Sequence, residues 1–294
     1  MNQALPTFDQ LRGQRVGVWG AGIEGRAVVK RLSGHAEVVV IVDDPTTATA
    51  VQLGSDFDCP VIAASAAPST GFDVVVRSAG VSIHRREVHE LTAAGTLVSG
   101  LLAIWLAEHS TATTIGVTGT KGKSTTSALC TALLTTAGVD VSFGGNIGIP
   151  IIDLPDHAAV HVVEVSSYQA SDVRSSPTIG VLTSLEADHL PWHGGLEGYW
   201  NDKLNLFAHS ELRHFVAHQA LLDEHPAVAR SSALERACTS EIVITEHELV
   251  IGSLPAVALT DTFVLPHNAR NLALAIRAAR LVSDRVDDAV TRQV

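Results

Sequence analysis

Short apolar runs alternate with small-residue turns and helical periodicity along most of this 294-residue chain. Arg15-Val-Gly-Val-Trp19 reads as a strand, then a turn, Gly20-Ala-Gly22-Ile-Glu-Gly25, then a helix through Ala27, Val28 and Leu32. Glu37 to Val42 and Phe72 to Arg77 read as two further strands, and Leu101 to Glu108 as a helix. After the polar linker at 110–113 the rhythm restarts with a β-branched run at Thr114, a glycine-bracketed turn, and a helix over Ser124 to Ala137. Ala128, Leu129, Ala132, Leu133 and Ala137 share one face of that helix, and Gly138 stops it. Phe143 to Pro150 is too glycine-rich for an element interior. His161 to Val165 and Gly180 to Leu185 are expected strands; Tyr199 to Phe207 and Leu272 to Val282 are expected helices. Strands alternating with helices imply an α/β chain: a Rossmann-like first domain over 1–108, then a phosphate-loop domain with a mainly parallel sheet over 109–294.

Two stretches carry chemistry. Gly119-Thr-Lys-Gly-Lys-Ser124 joins a strand to a helix, so its backbone N–H groups and the positive helix end converge on one point. In such a loop Lys123 reaches the β/γ-phosphates and Ser124 holds Mg²⁺. Val117 stands where the full pattern has its first glycine, so the loop is a shortened variant, and a plain strand-to-helix turn is the bland alternative. The Gly20 to Gly25 turn, followed by Asp43 and Asp44 at the end of the next strand, is the dinucleotide-type fingerprint, alone a weak sign of a nucleotide. Ser78-Ala-Gly80 ends a third strand on what would be the same edge.

Composition narrows the options. The net charge of −11 argues against general binding to nucleic acid or anionic membrane. Only four of the 20 basic residues are lysines, and two of them, Lys121 and Lys123, sit in the phosphate loop, where a compact ammonium suits the chemistry. Cys59, Cys130 and Cys238 are too scattered for a disulfide framework or zinc module. The polar N-terminus has no signal-peptide profile, so a cytoplasmic location is expected.

Other candidates stay open on spacing alone. Glu164 lies in an apolar strand and needs a partner, Mg²⁺ or an arginine. His189 and His193 are four apart, but Pro191 between them argues against a continuous helix and so against a zinc pair. By default Lys203 is a surface lysine. Asn146 suits a turn or a ligand contact; Asn268 suits a base edge or a helix cap, and Asn271 lies on its face of the helix.

Together, Thr118-Gly-Thr-Lys-Gly-Lys-Ser-Thr125, Gly144-Gly-Asn-Ile-Gly-Ile-Pro150, Glu164-Val-Ser-Ser-Tyr-Gln169, Asp188-His189, Lys203 and His267-Asn-Ala-Arg-Asn271 resemble the Mur ligases in order and spacing. The Gly-Gly-Asn-Ile-Gly stretch is similar to that of the branch adding glutamate to UDP-N-acetylmuramoyl-L-alanine in peptidoglycan synthesis. The resemblance implies that Gly22, Asp43, Ser78 and Gly80 hold the uridine diphosphate substrate, with Asn146, Ser167 and Gln169 also on the substrate side. It implies ATP on Gly119, Thr120, Lys121, Gly122, Lys123, Ser124 and Thr125, with adenine by Asn268 and Asn271. Mg²⁺ would lie on Ser124 and Glu164, and a second metal on His189 and a carbamylated Lys203; Lys123, Lys203 and His189 would be the catalytic residues. The substrate carboxylate would take the γ-phosphoryl group and glutamate would attack the acyl phosphate.

Lys121, where most relatives have asparagine, and Asp188-His-Leu-Pro-Trp-His193 depart from the common pattern; with Gly25-Arg-Ala27, Ser167-Tyr-Gln169 and Trp192-His-Gly194 they look more like the L-glutamate-adding branch. Asp288 to Val294 reads as a helix cut after barely two turns, so the family's glutamate-binding third domain is expected to be absent, supplied in cis or in trans. Without it, the chain is expected to bind Mg-ATP and the uridine substrate with little ligation. Three alternatives are a nicotinamide-dependent oxidoreductase, a non-catalytic nucleotide-binding relative and a folate-polyglutamating relative. The first leaves the phosphate loop and Lys203 unexplained.

Overall fold

The computed structural model describes residues 5–225, 242–245, 248–251, 257–258, 265–291 and 294. Two compact units emerge: Met1–His109 with Pro150–Asp153 and Ser171–Arg174, and Ser110–Ile149 with Leu154–Ala170 and Ser175–Val294.

The first unit runs β1 (Arg15–Trp19), α1 (Ile23–Leu32), β2 (Glu37–Val42), α2 (Ala48–Phe57), β3 (Val61–Ala63), β4 (Val74–Arg77), α3 (Arg86–Ala93), β5 (Leu97–Gly100) and α4 (Leu101–Glu108). Its sheet, ordered β3-β2-β1-β4-β5, is parallel throughout. Parallel strands are covered on both faces, which is why β1, β2 and β4 read as apolar runs instead of alternating. β4 ends on a charge: Arg77 is 1% exposed. Its Nε donates to Asp172 Oδ2 at 3.0 Å and its other arm lies 2.8 Å from Asp172 Oδ1. It also donates to Val81 O and Ser171 Oγ. The short edge strands β3 and β5 were not anticipated; at three and four residues, half-buried in part, they carry too few apolar positions to signal.

The second unit continues with β6 (Thr114–Thr118), α5 (Lys123–Thr136), β7 (Val141–Gly145), β8 (Val160–Glu164), α6 (Ser167–Ala170), β9 (Ile179–Leu182), α7 (Leu190–His193), α8 (Leu196–Leu204), β10 (His214–Ala217) and α9 (Gln219–Glu224). A small antiparallel sheet, β11 (Ile242–Ile244), β12 (Glu248–Ile251) and β13 (Val257–Ala258), precedes α10 (Pro266–Val282) and α11 (Asp288–Thr291). The main sheet is parallel, in the order β10-β9-β6-β8-β7, so the chain switches direction across β6. In such sheets ligands bind at the carboxyl ends of the strands beside that switch.

Two expectations need correcting here. The buried face of α5 is Thr126, Ser127, Leu129, Cys130, Leu133, Leu134 and Ala137, while Ala128 is exposed. The alanine-rich face of α10 packs on α5, and Cys130 Sγ lies 3.7 Å from the Ala275 carbonyl; small polar side chains fit that close approach. The glycine-rich stretch at 143–150 is not wholly irregular, because β7 extends through Gly144 and Gly145. A Cβ at Gly144 would collide with the Ile149 carbonyl and one at Gly145 with the Glu164 carbonyl, so these glycines permit close backbone approach within a strand. Cys59 and Cys130 are free thiols, Cys130 with its pKa pushed up to about 12 by burial; Cys238 lies outside the described residues. No helix among the described residues is long and apolar enough to cross a membrane.

Candidate functional site

The turn between β6 and α5 is a loop that side chains cannot invade. Gly119 has φ 154° and a Cβ there would strike Thr183 Oγ1; Gly122, at φ 85°, begins α5, and a Cβ would strike Asn271 Oδ1. Other residues hold the loop from behind. The Thr120 hydroxyl is 2.8 Å from the Tyr199 hydroxyl and accepts the Glu186 N–H at 2.9 Å, so it points inward. The Lys121 N–H donates to Ser184 Oγ at 2.9 Å, and Thr183 Oγ1 donates to the Lys121 carbonyl. Ser124 and Thr125 are exposed in the first turn of α5, where the helix end favours anions.

Two ammonium groups meet at this loop. Lys123 Nζ donates to the Gly119 carbonyl at 3.0 Å and the Thr120 carbonyl at 3.2 Å, and Lys203 Nζ donates to that same Gly119 oxygen at 3.0 Å. No more than about 6 Å can therefore separate them. Lys203 is not the surface residue that spacing suggested: it is 1% exposed, with its ammonium 4.9 Å above the Tyr199 ring. The last of the four lysines lies inside because α8 carries it to the loop. Burial, then the charge of Lys123, pushes its pKa down to about 7. Burial also lowers that of Lys123, against the opposing pull of Glu164.

Glu164 closes β8 with only 1% exposure. Its Oε1 accepts Asn146 Nδ2 at 2.9 Å and its backbone carbonyl accepts the Asn146 N–H at 2.8 Å, so the asparagine's visible partner is this glutamate. Oε2 is buried without a hydrogen-bond partner. A buried carboxylate oxygen left in that state is costly unless a cation reaches it. Among the described residues no cluster of three or more His, Cys, Asp or Glu could hold a metal.

His189 takes left-handed backbone, φ 50°, unusual outside glycine, and caps α7, where Pro191 sits in the first turn. Its side chain is 53% exposed, 3.5 Å from Asp188 Oδ2 and tilted on Tyr168. His193, at the other end of α7, is buried where His189 is half exposed, and both rings lie against Tyr168. Spacing gave no hint of what His193 does. Its Nδ1 lies 2.6 Å from Asp202 Oδ2 and its Nε2 3.0 Å from Ser167 Oγ. Burial lowers its pKa despite Asp202; because a carboxylate only accepts, Nδ1–H donates to Asp202, and in the neutral ring Nε2 then accepts from the serine. Ser167 and Gln169 are buried with protein partners. Gln169 Oε1 accepts from the Ser166 N–H and Oγ while Ser166 Oγ accepts the Gln169 N–H, a capping box on α6 that Ser166-Ser-Tyr-Gln169 spells in sequence. Asn268 is not the cap of α10, which is Leu265; Asn271 is buried with its amide against Gly122.

In the first unit Gly20 faces Ser78 Oγ, and Gly25 packs on the Gly20 carbonyl, joining the turns after β1 and β4. Glu24 Oε2 accepts the Ala79 N–H at 2.9 Å. Cβ atoms at Gly22 and Gly80 would meet nothing within 4 Å, leaving backbone open on this edge. Asp43 is 2.8 Å from Arg85, whose guanidinium lies 5.1 Å over the Trp19 ring.

Residues 117–244 match the profile of the Mur ligase middle domain. UDP-N-acetylmuramoyl-L-alanine--L-glutamate ligases from a Micromonospora species, Salinispora tropica and Xanthomonas euvesicatoria are 45%, 43% and 37% identical, over 69%, 69% and 68% of this chain and 45%, 46% and 46% of their own length. The chain thus spans about half the length of these curated relatives. A crystal structure of UDP-N-acetylmuramate:L-alanyl-gamma-D-glutamyl-meso-diaminopimelate ligase from Neisseria meningitides matches with TM-score 0.57 and 19% identity over 95% of this chain and 97% of that one. UDP-N-acetylmuramoylalanyl-D-glutamyl-2,6-diaminopimelate--D-alanyl-D-alanyl ligase from Acinetobacter baumannii matches with TM-score 0.54 and 14% identity over 100% of this chain and 70% of that one, a likeness of fold alone. With the profile on the phosphate-loop unit and the sequence relatives agreeing, the chain carries a Mur ligase middle domain over residues 117–244.

Proposed function

We propose that this chain carries the uridine-substrate and ATP-binding parts of a ligase that joins L-glutamate to UDP-N-acetylmuramoyl-L-alanine. The observation that carries the reading is the convergence of Lys123 and Lys203 on the Gly119 carbonyl, with Glu164 close enough to act on the charge of Lys123. The names of the curated relatives favour L-glutamate, as do Ser167, Trp192 and His193.

ATP would lie on Gly119 to Thr125, with Asn268 and Asn271 of α10 on the adenine side and the loop N–H groups on phosphate. Mg²⁺, held by Ser124 and the free Oε2 of Glu164, would offset the phosphate charge. Lys123 Nζ would exchange its two carbonyl partners for the transferring phosphoryl group. A lysine with its pKa near 7 is about half uncharged amine at neutral pH, the form that adds CO₂, losing a proton, to become a carbamate. The carbamate of Lys203, with the exposed His189, would then hold a second cation. The substrate carboxylate attacks the γ-phosphorus and ADP leaves; the amine of glutamate attacks the acyl carbon, phosphate leaves, and the nitrogen gives up a proton. Gly22, Asp43, Ser78 and Gly80 would hold the uridine diphosphate part in the first unit, and Asn146, Ser167 and Gln169 would shape the substrate side of the second.

Calorimetric titration with Mg-ATP, for the wild type and Lys123→Ala, tests the reading. The variant should keep its circular dichroism and lose at least tenfold in affinity, since it removes a charge and no packing. Wild-type affinity in a folded variant would overturn the assignment. With a glutamate-binding domain supplied in cis or in trans, mass spectrometry after incubation with ATP, the uridine substrate and either glutamate isomer tests the isomer; a D-glutamyl product would refute the L reading.

A further inference from the structure

The buried imidazole of His193 has both nitrogens engaged, and each partner is a near neighbour of a proposed metal-side residue. Ser167 follows Glu164 by three positions across the turn from β8 to α6, and Asp202 immediately precedes Lys203 on α8. A ring bonded to Ser167 at 3.0 Å and Asp202 at 2.6 Å therefore spans the gap between the strand end that carries Glu164 and the helix that carries Lys203.

The ring is itself held. Tyr168 stacks on it at 5.4 Å and Tyr199 meets it edge-on at 5.2 Å. Tyr168 also contacts the His189 ring, while the Tyr199 hydroxyl bonds Thr120 in the phosphate loop. A core needing only volume at this position would be served by an aromatic hydrocarbon. A fully satisfied polar link instead fixes one relative placement of the elements it joins.

We propose that His193 is a positioning residue for the metal and nucleotide site, a strut that sets the separation of Glu164 from Lys203 and thereby the affinity for a divalent cation with ATP. The inference rests on the reading of Glu164 and Lys203 given under Proposed function. Outer partners that orient metal ligands characteristically cost 10–100-fold in metal affinity when removed.

The test uses the 294-residue chain with Mn²⁺ as probe, read by the electron paramagnetic resonance of free Mn²⁺ and by ATP titration with and without metal. His193→Phe keeps the ring and its stacking but deletes both bonds. It should lose at least tenfold in Mn²⁺ affinity with ATP present, and keep metal-free ATP affinity within about twofold. His193→Gln, which can retain one bond, should fall between, and Asp202→Asn, which keeps an acceptor for Nδ1–H, should stay within about threefold of wild type. Should the phenylalanine variant fail to fold, the glutamine variant carries the test. Unchanged Mn²⁺ affinity in folded variants overturns the strut, and so does an equal loss of metal-free and metal-dependent binding, which would mark a general structural role. A wild type whose ATP affinity ignores Mn²⁺ would instead sink the metal reading of Glu164 and Lys203, and the strut with it.

Discussion

Replacing Asp172 by alanine should destabilise the first unit by about 3–4 kcal/mol. Arg77 is held by one hydrogen bond to Asp172 Oδ2 and an ion-pair contact to Oδ1, and breaking a buried pair from one side costs roughly 3–5 kcal/mol because the remaining charge stays buried. Two features moderate that figure. Asp172 retains 19% exposure, and Arg77 keeps the Val81 carbonyl and the Ser171 hydroxyl. One feature raises it: Asp172 Oδ2 also accepts the Gly100 N–H at 2.7 Å, an amide left without this acceptor at a further cost of about 1 kcal/mol. By contrast the exposed Arg26–Asp56 pair should matter little, and Asp56→Ala should cost about 0–1 kcal/mol. Urea denaturation supplies the free energies, and amide exchange read by mass spectrometry locates the loss. Peptides of β4 and β5 should lose protection while those of β6 do not. Combining Arg77→Met with Asp172→Asn, which removes both charges and leaves an acceptor for Gly100, should recover more than half of the deficit. A fragment of residues 1–109, lacking Ser171–Arg174, should behave like the alanine variant. A folded Asp172→Ala protein within about 1 kcal/mol of wild type, with unchanged exchange in β4 and β5, would refute the reasoning.

An unfolded Lys203 takes its proton near 10.5 and the folded one near 7, so between those values the unfolded chain binds more protons and stability rises with pH; below about 7 both are charged and the burial penalty is complete. In CO₂-free buffer Lys203→Met should therefore stabilise the protein at pH 7, and its advantage should shrink by roughly 2–3 kcal/mol by pH 9; parallel urea midpoints at the two pH values would contradict this. Gly122→Ala places a Cβ against Asn271 Oδ1 at a left-handed position, which should cost about 1–2 kcal/mol and at least tenfold in ATP affinity; a titration matching wild type would show that the loop tolerates a side chain there.

The alternation of apolar runs, small-residue turns and helical periodicity was enough to call both α/β units, because parallel strands buried on two faces are continuous in hydrophobicity and the turns after β1 and β6 need glycine locally. The placement of Lys123 and Ser124 at the loop and of Glu164 in β8 was legible for the same reason: each stands at a fixed offset from a loop or inside an apolar strand. Short edge strands and the strand hidden in the glycines of β7 were not, since their pairing is supplied by neighbours distant in sequence. Neither could spacing show that Lys203 is buried, that it shares the Gly119 carbonyl with Lys123, or that His193 links Ser167 to Asp202. A pKa near 7 and an unsatisfied Glu164 oxygen arise from desolvation, which depends on everything packed around a group and so exists only once the tertiary structure has closed.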